Sequence, residues 1–132
     1  MKLKMTWAEA QEYASNLNLG EYSDWRVPTI DELKTLFDYA HGKPVVEMLP
    51  SVYWSSTTNA DYPDVAWYVH FYNGVVYGQF KTSLNSVRYV RGGRFDPLGN
   101  LIILVTADGQ ERIIVNGDGT ITDNMTGLIW EA

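Results

Sequence analysis

The sequence contains no cysteine and only two histidines, His41 and His70. It therefore has no thiol nucleophile, no disulfide framework and no cysteine-based zinc site, and a histidine-rich metal centre is not expected. No apolar run reaches the roughly 18 residues that a membrane-spanning helix needs. We therefore predict a domain without a bound metal, without a cofactor and without membrane insertion.

Positive charge is also scarce. The 132 residues include ten Lys and Arg and sixteen Asp and Glu, which gives a formal net charge of −6. Proteins that bind nucleic acid depend on neutralising phosphates, so a nucleic-acid partner is not expected. The first residues carry no apolar stretch of the signal-peptide type, so an exported protein would have its signal removed or encoded outside this sequence.

Catalytic patterns are missing as well. The sequence shows no Ser/His/Asp arrangement, no glycine-rich phosphate loop and no HExxH motif. The acidic residues are scattered, and no spacing singles out a pair for general acid and base roles. We therefore predict that the chain is not an enzyme.

Aromatic residues, in contrast, are abundant. Five Trp and nine Tyr contribute to an aromatic content of 14%, and hydrophobic residues make up 45% of the chain. This composition and length are typical of one folded domain. Tyr and Trp combine a large apolar body with a polar group, which suits both cores and binding surfaces.

Two capping boxes predict two helices in the first third of the chain. Thr6 with Glu9, and Thr29 with Glu32, each place a Thr cap three residues before a Glu. Apolar residues follow at helical spacing, so we predict helices over 7–18 and 30–40.

Short strands are predicted after Pro44, where the apolar period changes to two. An Asn-Gly pair marks one hairpin and an Asp-Gly turn within 107–110 marks another, between 101–106 and 112–115. A third hairpin pairs 120–122 with 128–130 around a five-residue loop. Helices followed by many antiparallel strands predict an α+β fold. The predicted strands are 52–56, 66–71, 75–80, 86–90, 101–106, 112–115, 120–122 and 128–130.

The stretch NGDGTITDN near the end is rich in oxygen ligands and suggests calcium. An EF-hand loop from Asn116 would need an acidic or amide residue at Thr120 and Glu at Gly127, and neither is present. We interpret the stretch as two tight turns that use Asn, Asp and Gly for their backbone freedom, with weak ion binding as the alternative.

Two groups of charged residues are candidates for a polar site. Asp24 and Arg26 flank Trp25, and Arg88, Arg91 and Arg94 recur every third residue. The structural interpretation is that these groups pair with each other and with the surplus carboxylates, and it is favoured because arginine matches carboxylate geometry well. The alternative is an anion site that includes Arg91.

The hairpin around the Asn-Gly pair is the strongest candidate for a binding surface. Alternation places Trp67, Val69 and Phe71 on one side and Tyr68, His70 and Tyr72 on the other, so one set is core and the other an aromatic and polar face. The polar loop 55–64 precedes this hairpin. Plain sheet packing is the alternative interpretation. The candidate ligand-binding residues are Asn59, Asp61, Asp64, Trp67, Tyr68, Tyr72, Asn73, Tyr77 and Arg91.

Three stretches together resemble one family. They are TWAEAQEYASNLNLGEYSDWRVPTIDEL (6–33), YWSSTTNADYPDVAWYVHFYNGVV (53–76) and VRYVRGG (87–93). They are similar to the Lcl C-terminal-like domain, a bacterial domain of unknown function named for a collagen-like adhesin. The resemblance implies a C-type-lectin-like fold, with two helices against small antiparallel sheets and a long loop region. The sugar and calcium motifs EPN, QPD and WND of C-type lectins are absent.

The family usually begins with a segment similar to GDGTITDNMTGLIW, which here occupies 117–130. The resemblance therefore implies a circularly shifted copy, either a natural permutant or a unit of a tandem array taken out of phase. We expect 1–93 to form the family core, 94–115 an extra linker and hairpin, and 116–132 the displaced first strands. Residues 128–130 would occupy the place of the family's first strand, in the same molecule or by exchange with a neighbour.

These observations predict a non-catalytic binding module of a bacterial surface or secreted protein. It would engage a glycan or a protein on a host or neighbouring cell through the 55–64 loop and the aromatic hairpin. The alternative is a structural repeat that assembles with neighbouring copies, as a homo-oligomer or a strand-exchanged dimer.

Overall fold

The computed structural model describes residues 4–104, 106 and 109–132. Within these residues it contains two short helices and nine strands in three antiparallel sheets, which confirms the α+β class. No helix in the described part of the chain is long and apolar enough to cross a membrane. The strands are β1 (Phe37–Asp38), β2 (Lys43–Pro44), β3 (Val52–Thr58), β4 (Val65–His70), β5 (Val75–Phe80), β6 (Val90–Gly92), β7 (Ile113–Val115), β8 (Thr120–Asp123) and β9 (Leu128–Glu131).

The first helix, α1, spans Trp7–Asn16 and starts as predicted. The Thr6 hydroxyl accepts the Glu9 amide N–H, and the Glu9 carboxylate accepts the Thr6 amide N–H, which completes a capping box. Ala10 and Ala14 form its buried stripe. The helix ends two residues earlier than predicted, because Leu17 is already extended.

The second helix, α2, has the predicted start but spans only Ile30–Lys34. The prediction that it continues to residue 40 is wrong. Leu33, Leu36 and Phe37 are all buried, as the helical spacing indicates. However, Phe37 and Asp38 leave the helix and pair as β1 with β2, and the Val45 amide donates to the Leu36 carbonyl. A short hairpin therefore buries the same apolar residues that a longer helix would bury.

Strands β3, β4 and β5 form one antiparallel sheet, and the order β6-β9-β8-β7 forms a second. The predicted strand 75–80 coincides with β5, whereas β3 extends two residues beyond its predicted end. The turn between β4 and β5 contains the Asn-Gly pair, with Gly74 at a positive φ of 76°.

One predicted hairpin is wrong in its pairing. Strand β7 pairs with β8, in register Val115↔Ile121, and not with the 101–106 run. Within the described part of that run, only Leu101 forms a bridge, and its partner is Phe95. Residues 107 and 108 of the predicted Asp-Gly turn lie outside the described residues. The third predicted hairpin is confirmed as β8 and β9.

Two apolar clusters form the core, one on each side of the first sheet. The first contains Leu33 and Leu36 of the α2 segment together with Val69, Phe71 and Trp130. The second packs α1 against the other side, and its buried members are Met5, Ala10, Ala14, Trp25, Val27, Trp54, Ala66 and Tyr89. Trp130 is fully buried and lies with the α2 segment, while the neighbouring Ile129 packs against the α1 cluster.

Candidate functional site

The side of β4 that carries Tyr68 also carries a row of rings, which we call the aromatic strip (Tyr68, His70, Tyr72 and Tyr77). Tyr68 lies directly opposite Tyr77 on β5, with ring centroids 6.4 Å apart. Tyr68 and His70 share one side of β4 because side chains alternate. The His70 and Tyr72 rings meet edge to face at 6.3 Å. The four rings therefore form two contacting pairs on this side of the sheet, one between β4 and β5 and one at the β4–β5 turn.

The strip is open to solvent at both ends. Tyr77 is 61% exposed and Tyr72 is 74% exposed, whereas Tyr68 is half-buried against the α1 cluster. The three tyrosine hydroxyls have no hydrogen-bond partner among the described residues. Flat rings with free hydroxyls offer both apolar contact and hydrogen bonding to a ligand.

His70 was not among the predicted site residues, although alternation places it between Tyr68 and Tyr72. Its Nδ1 accepts the Tyr72 amide N–H at 3.2 Å. The neutral imidazole therefore carries its proton on Nε2, which is left as a donor. Gln79, two residues from Tyr77 on β5, accepts from the Asn85 amide through Oε1 and lies on the same side of the sheet. These two side chains add polar groups beside the rings.

The predicted loop residues lie at the other end of the sheet from the β4–β5 turn. Asn59 uses Oδ1 to accept the Asp61 amide N–H, and the Asp64 carbonyl accepts the Lys81 amide N–H. Strand β4 separates this loop from Tyr72 and Asn73, a length of about 20 Å at the usual rise of a strand. The loop and the turn therefore do not form one compact site.

Trp67 faces away from the strip. It lies on the opposite side of β4, across from Gly78, and borders a shallow groove beside α2 with Asp31, Lys34 and Val76. Most of its surface is covered, in agreement with the packing interpretation for this residue. The predicted alternation is therefore confirmed, and it separates Trp67 from the other candidate residues of this hairpin.

Arg91 takes part in a structural contact on the second sheet. Its Nε and Nη2 donate to the two carboxylate oxygens of Asp24 at 2.6 and 3.0 Å, and its guanidinium lies 3.9 Å from the Tyr22 ring centroid. The hydrogen bond from Arg91 lowers the pKa of Asp24. Arg26 likewise forms two hydrogen bonds with Glu32. The predicted pairing with carboxylates is therefore confirmed for Arg91.

The other two arginines of the triplet bind backbone carbonyls rather than carboxylates. Arg88 donates to the carbonyls of Glu47 and Glu131, and Arg94 donates to those of Asn124 and Met125. The three arginines therefore do not converge on one anion site.

The oxygen-rich closing stretch is engaged in its own turns. Asp118 accepts from the Thr120 amide and hydroxyl, and buried Asp123 accepts from Arg112 and the Met125 amide. Among the described residues no group of three His, Asp or Glu side chains is placed to hold a metal ion. These contacts support the interpretation of this stretch as turns.

The family model of the Lcl C-terminal domain matches residues 1–91. The chain belongs to the Lcl C-terminal domain family. A comparison with curated proteins gives no match, and neither does a comparison with solved structures.

The match places the aromatic strip within the Lcl C-terminal domain. The matched segment contains both helices and strands β1 to β5, and it ends inside β6. Strands β7, β8 and β9 lie beyond it, although β9 is the direct neighbour of β6 in the second sheet.

Proposed function

We propose that this domain is a non-catalytic extracellular binding module of a bacterial surface or secreted protein, and that a glycan chain binds on the aromatic strip. The observation that carries the proposal is the row of four rings with exposed Tyr72 and Tyr77 at its ends. The strip is long and shallow, which suits an extended ligand better than a small enclosed one.

The chemistry of the strip favours sugars. The C–H faces of a sugar ring can pack on tyrosine rings, while tyrosine hydroxyls, His70 Nε2 and the Gln79 amide can bond to sugar hydroxyls. The net charge of −6 disfavours polyanionic glycans, so we propose neutral sugar units at the contact.

A glycan array followed by titration of the strongest neutral hit tests the proposal. The Tyr72→Ala/Tyr77→Ala double variant should bind at least about fivefold more weakly, because each lost ring contact is worth roughly 0.5–1.5 kcal/mol. Tyr62→Ala is the matched control, since Tyr62 is 66% exposed but lies in the 59–64 loop. Its affinity should stay within about twofold of the unaltered domain.

Three results would contradict the proposal. One is an array without any bound glycan at high micromolar protein. Another is an equal loss of glycan affinity in the Tyr62 variant and in the double variant, which would extend the site to the loop. The third is a protein ligand whose binding depends on Tyr72 and Tyr77, which would keep the strip but replace the glycan.

We also propose the C-type-lectin-like architecture with a circularly shifted order. Tyr89 supports it, because this residue contacts both terminal segments. Its hydroxyl donates to the Met5 sulfur at 3.5 Å, and its backbone N–H donates to the Glu131 carboxylate. Glu131 in turn donates its amide N–H to the Tyr89 carbonyl. The two segments thus lie close enough for a different chain order to connect them.

A structural repeat that assembles by strand exchange is the second candidate function. It is favoured by β9, which lies between β6 and β8 and buries Trp130 completely. A neighbouring copy could supply the same β8–β9 hairpin. Sedimentation velocity decides between the two arrangements. A concentration-dependent dimer would support exchange, and a monomer at all concentrations would contradict it.

A further inference from the structure

Arg88 is buried, and one nitrogen of its guanidinium forms no hydrogen bond with the described residues. Its side chain is 7% exposed, Nε donates to the Glu131 carbonyl and Nη1 donates to the Glu47 carbonyl, each at 2.8 Å. Nη2 has no hydrogen-bond partner among the described residues, and no carboxylate in that part of the chain forms an ion pair with Arg88. Nη2 is not one of the fully buried atoms that lack a partner, so it reaches solvent and is open to an acceptor that enters from outside.

A cavity of about 500 Å³ opens beside this guanidinium. Its walls are mostly branched apolar side chains from β7, β8 and the segment after β2. Pockets for small molecules combine such apolar walls with a few polar groups that fix the ligand's orientation. The lining residues are Val46, Glu47, Arg88, Ile113, Val115, Ile121 and Ala132.

Two glutamates act on Arg88 through their charge, and neither forms an ion pair with it among the described residues. The Glu131 carboxylate accepts its hydrogen bond from the Tyr89 amide N–H and not from Arg88. Glu47 is exposed, so water screens its carboxylate. Burial lowers the pKa of Arg88, although Tyr53, Glu131 and Glu47 act in the opposite direction.

We propose that this cavity binds a small apolar carboxylate of the medium-chain fatty-acid type. The carboxylate accepts a charge-assisted hydrogen bond from Arg88 Nη2, and the alkyl chain packs on Ile113, Val115 and Ile121. This site is separate from the aromatic strip, since it is formed by the second sheet and the segment after β2.

Calorimetric titration with octanoate, octylammonium and octanol tests the head-group preference. Octanoate should bind saturably and at least about tenfold more tightly than either other compound, because a hydrogen bond between charged groups contributes roughly 1.5–3 kcal/mol. Arg88→Met should reduce octanoate affinity about tenfold or more. Because that variant also loses two backbone contacts, its fold must be checked by circular dichroism.

Val115 provides a test that leaves Arg88 intact. It is 73% exposed at the cavity wall, so substitutions there are compatible with folding. Val115→Glu should weaken octanoate severalfold by repulsion, whereas the matched Val115→Gln variant should bind severalfold more tightly than Val115→Glu. The proposal is overturned if octanoate does not bind, if octanol or octylammonium binds equally well, or if the Glu and Gln variants are indistinguishable.

Discussion

At the scale of single residues, the buried Glu32 carboxylate links parts of the fold that are distant in sequence. Its side chain is 1% exposed and caps α2 by accepting a hydrogen bond from the Thr29 amide N–H. It also accepts hydrogen bonds from both terminal nitrogens of Arg26, at 2.6 and 2.7 Å. Arg26 also donates to the Gly92 carbonyl. One carboxylate thus connects the start of α2 to the segment that precedes it and, through Arg26, to the second sheet. The sequence predicts the Thr29–Glu32 capping box, but local spacing does not indicate the Arg26 contact.

Glu32→Gln should lower the free energy of unfolding by about 2–3 kcal/mol. The value is below the usual cost of breaking a buried pair, because Arg26 is 38% exposed and water can solvate it. Glu9→Gln, in the more exposed capping box of α1, is the control and should cost about 0.5–1 kcal/mol. Urea denaturation at pH 7 measures both. Equal losses in the two variants would contradict the special role of Glu32.

The Asp24–Arg91 pair should make a small contribution to stability that depends on pH. The pKa of Asp24 is lowered by its hydrogen bond from Arg91, so the stabilisation is present above the unfolded pKa of about 3.9 and is lost as the pH falls through the lower folded value. Asp24 is 62% exposed, which limits the effect to about 0.5 kcal/mol. Asp24→Asn should therefore destabilise the domain at pH 7 but not at pH 2. A larger effect at pH 2 than at pH 7 would contradict this assignment.

At the scale of secondary-structure elements, the β4–β5 turn connects the aromatic strip to the core. Gly74 adopts a φ of 76°, and its carbonyl accepts the Tyr39 hydroxyl at 2.6 Å. A Cβ at this position would lie 2.6 Å from Phe37 Cδ1. The turn therefore requires glycine for two independent reasons, its backbone conformation and its close approach to β1.

Gly74→Ala should lower the free energy of unfolding by about 2–4 kcal/mol, from left-handed backbone strain together with overpacking. Gly42→Ala is the matched control. Gly42 has a φ of 69°, but a Cβ there would meet no atom within 4 Å, so it should cost only about 1–2 kcal/mol. Thermal denaturation of the two variants gives the difference directly. A Gly42 variant as unstable as the Gly74 variant would show that packing against Phe37 contributes nothing.

Elements with local signals were predictable from the sequence, and those that depend on distant partners were not. Capping boxes located the start of both helices, and the Asn-Gly pair located the β4–β5 turn. The end of α2 was not predictable, because the burial of Phe37 is compatible with a helix and with β1. The pairing of β7 was not predictable either, because its partner β8 lies outside the predicted hairpin. The alternation of side chains along β4 separates Trp67 from Tyr68. The same alternation was the sequence pattern from which the aromatic strip could be predicted.

At the scale of the whole molecule, Tyr89 connects the two terminal segments through Met5 and Glu131. The long segment between β6 and β7 is attached to the β8–β9 loop by Arg94, which donates to the carbonyls of Asn124 and Met125. This arrangement is consistent with our proposal of a shifted chain order. The second sheet would keep the same contacts if the present ends were joined and the chain were opened at another position.

A circular permutant tests that proposal. Residue 132 is joined to residue 1 by a short Gly-Ser linker, and the chain is opened between Leu98 and Gly99, where Leu98 is 87% exposed. We expect cooperative unfolding with a free energy within about 2 kcal/mol of the original, because exposed turns tolerate new termini. A control permutant opened within β4, between Trp67 and Tyr68, should fail to fold. Failure of the Leu98–Gly99 permutant would contradict the shifted order.

Chemical-shift mapping with the strongest neutral glycan from the array is the most direct test of the account. Binding on the aromatic strip predicts that the largest perturbations occur at Tyr68, His70, Tyr72 and Tyr77, and that they disappear in the Tyr72→Ala/Tyr77→Ala variant. Perturbations centred on the Trp67 groove or on the 59–64 loop, with the strip unchanged, would contradict it.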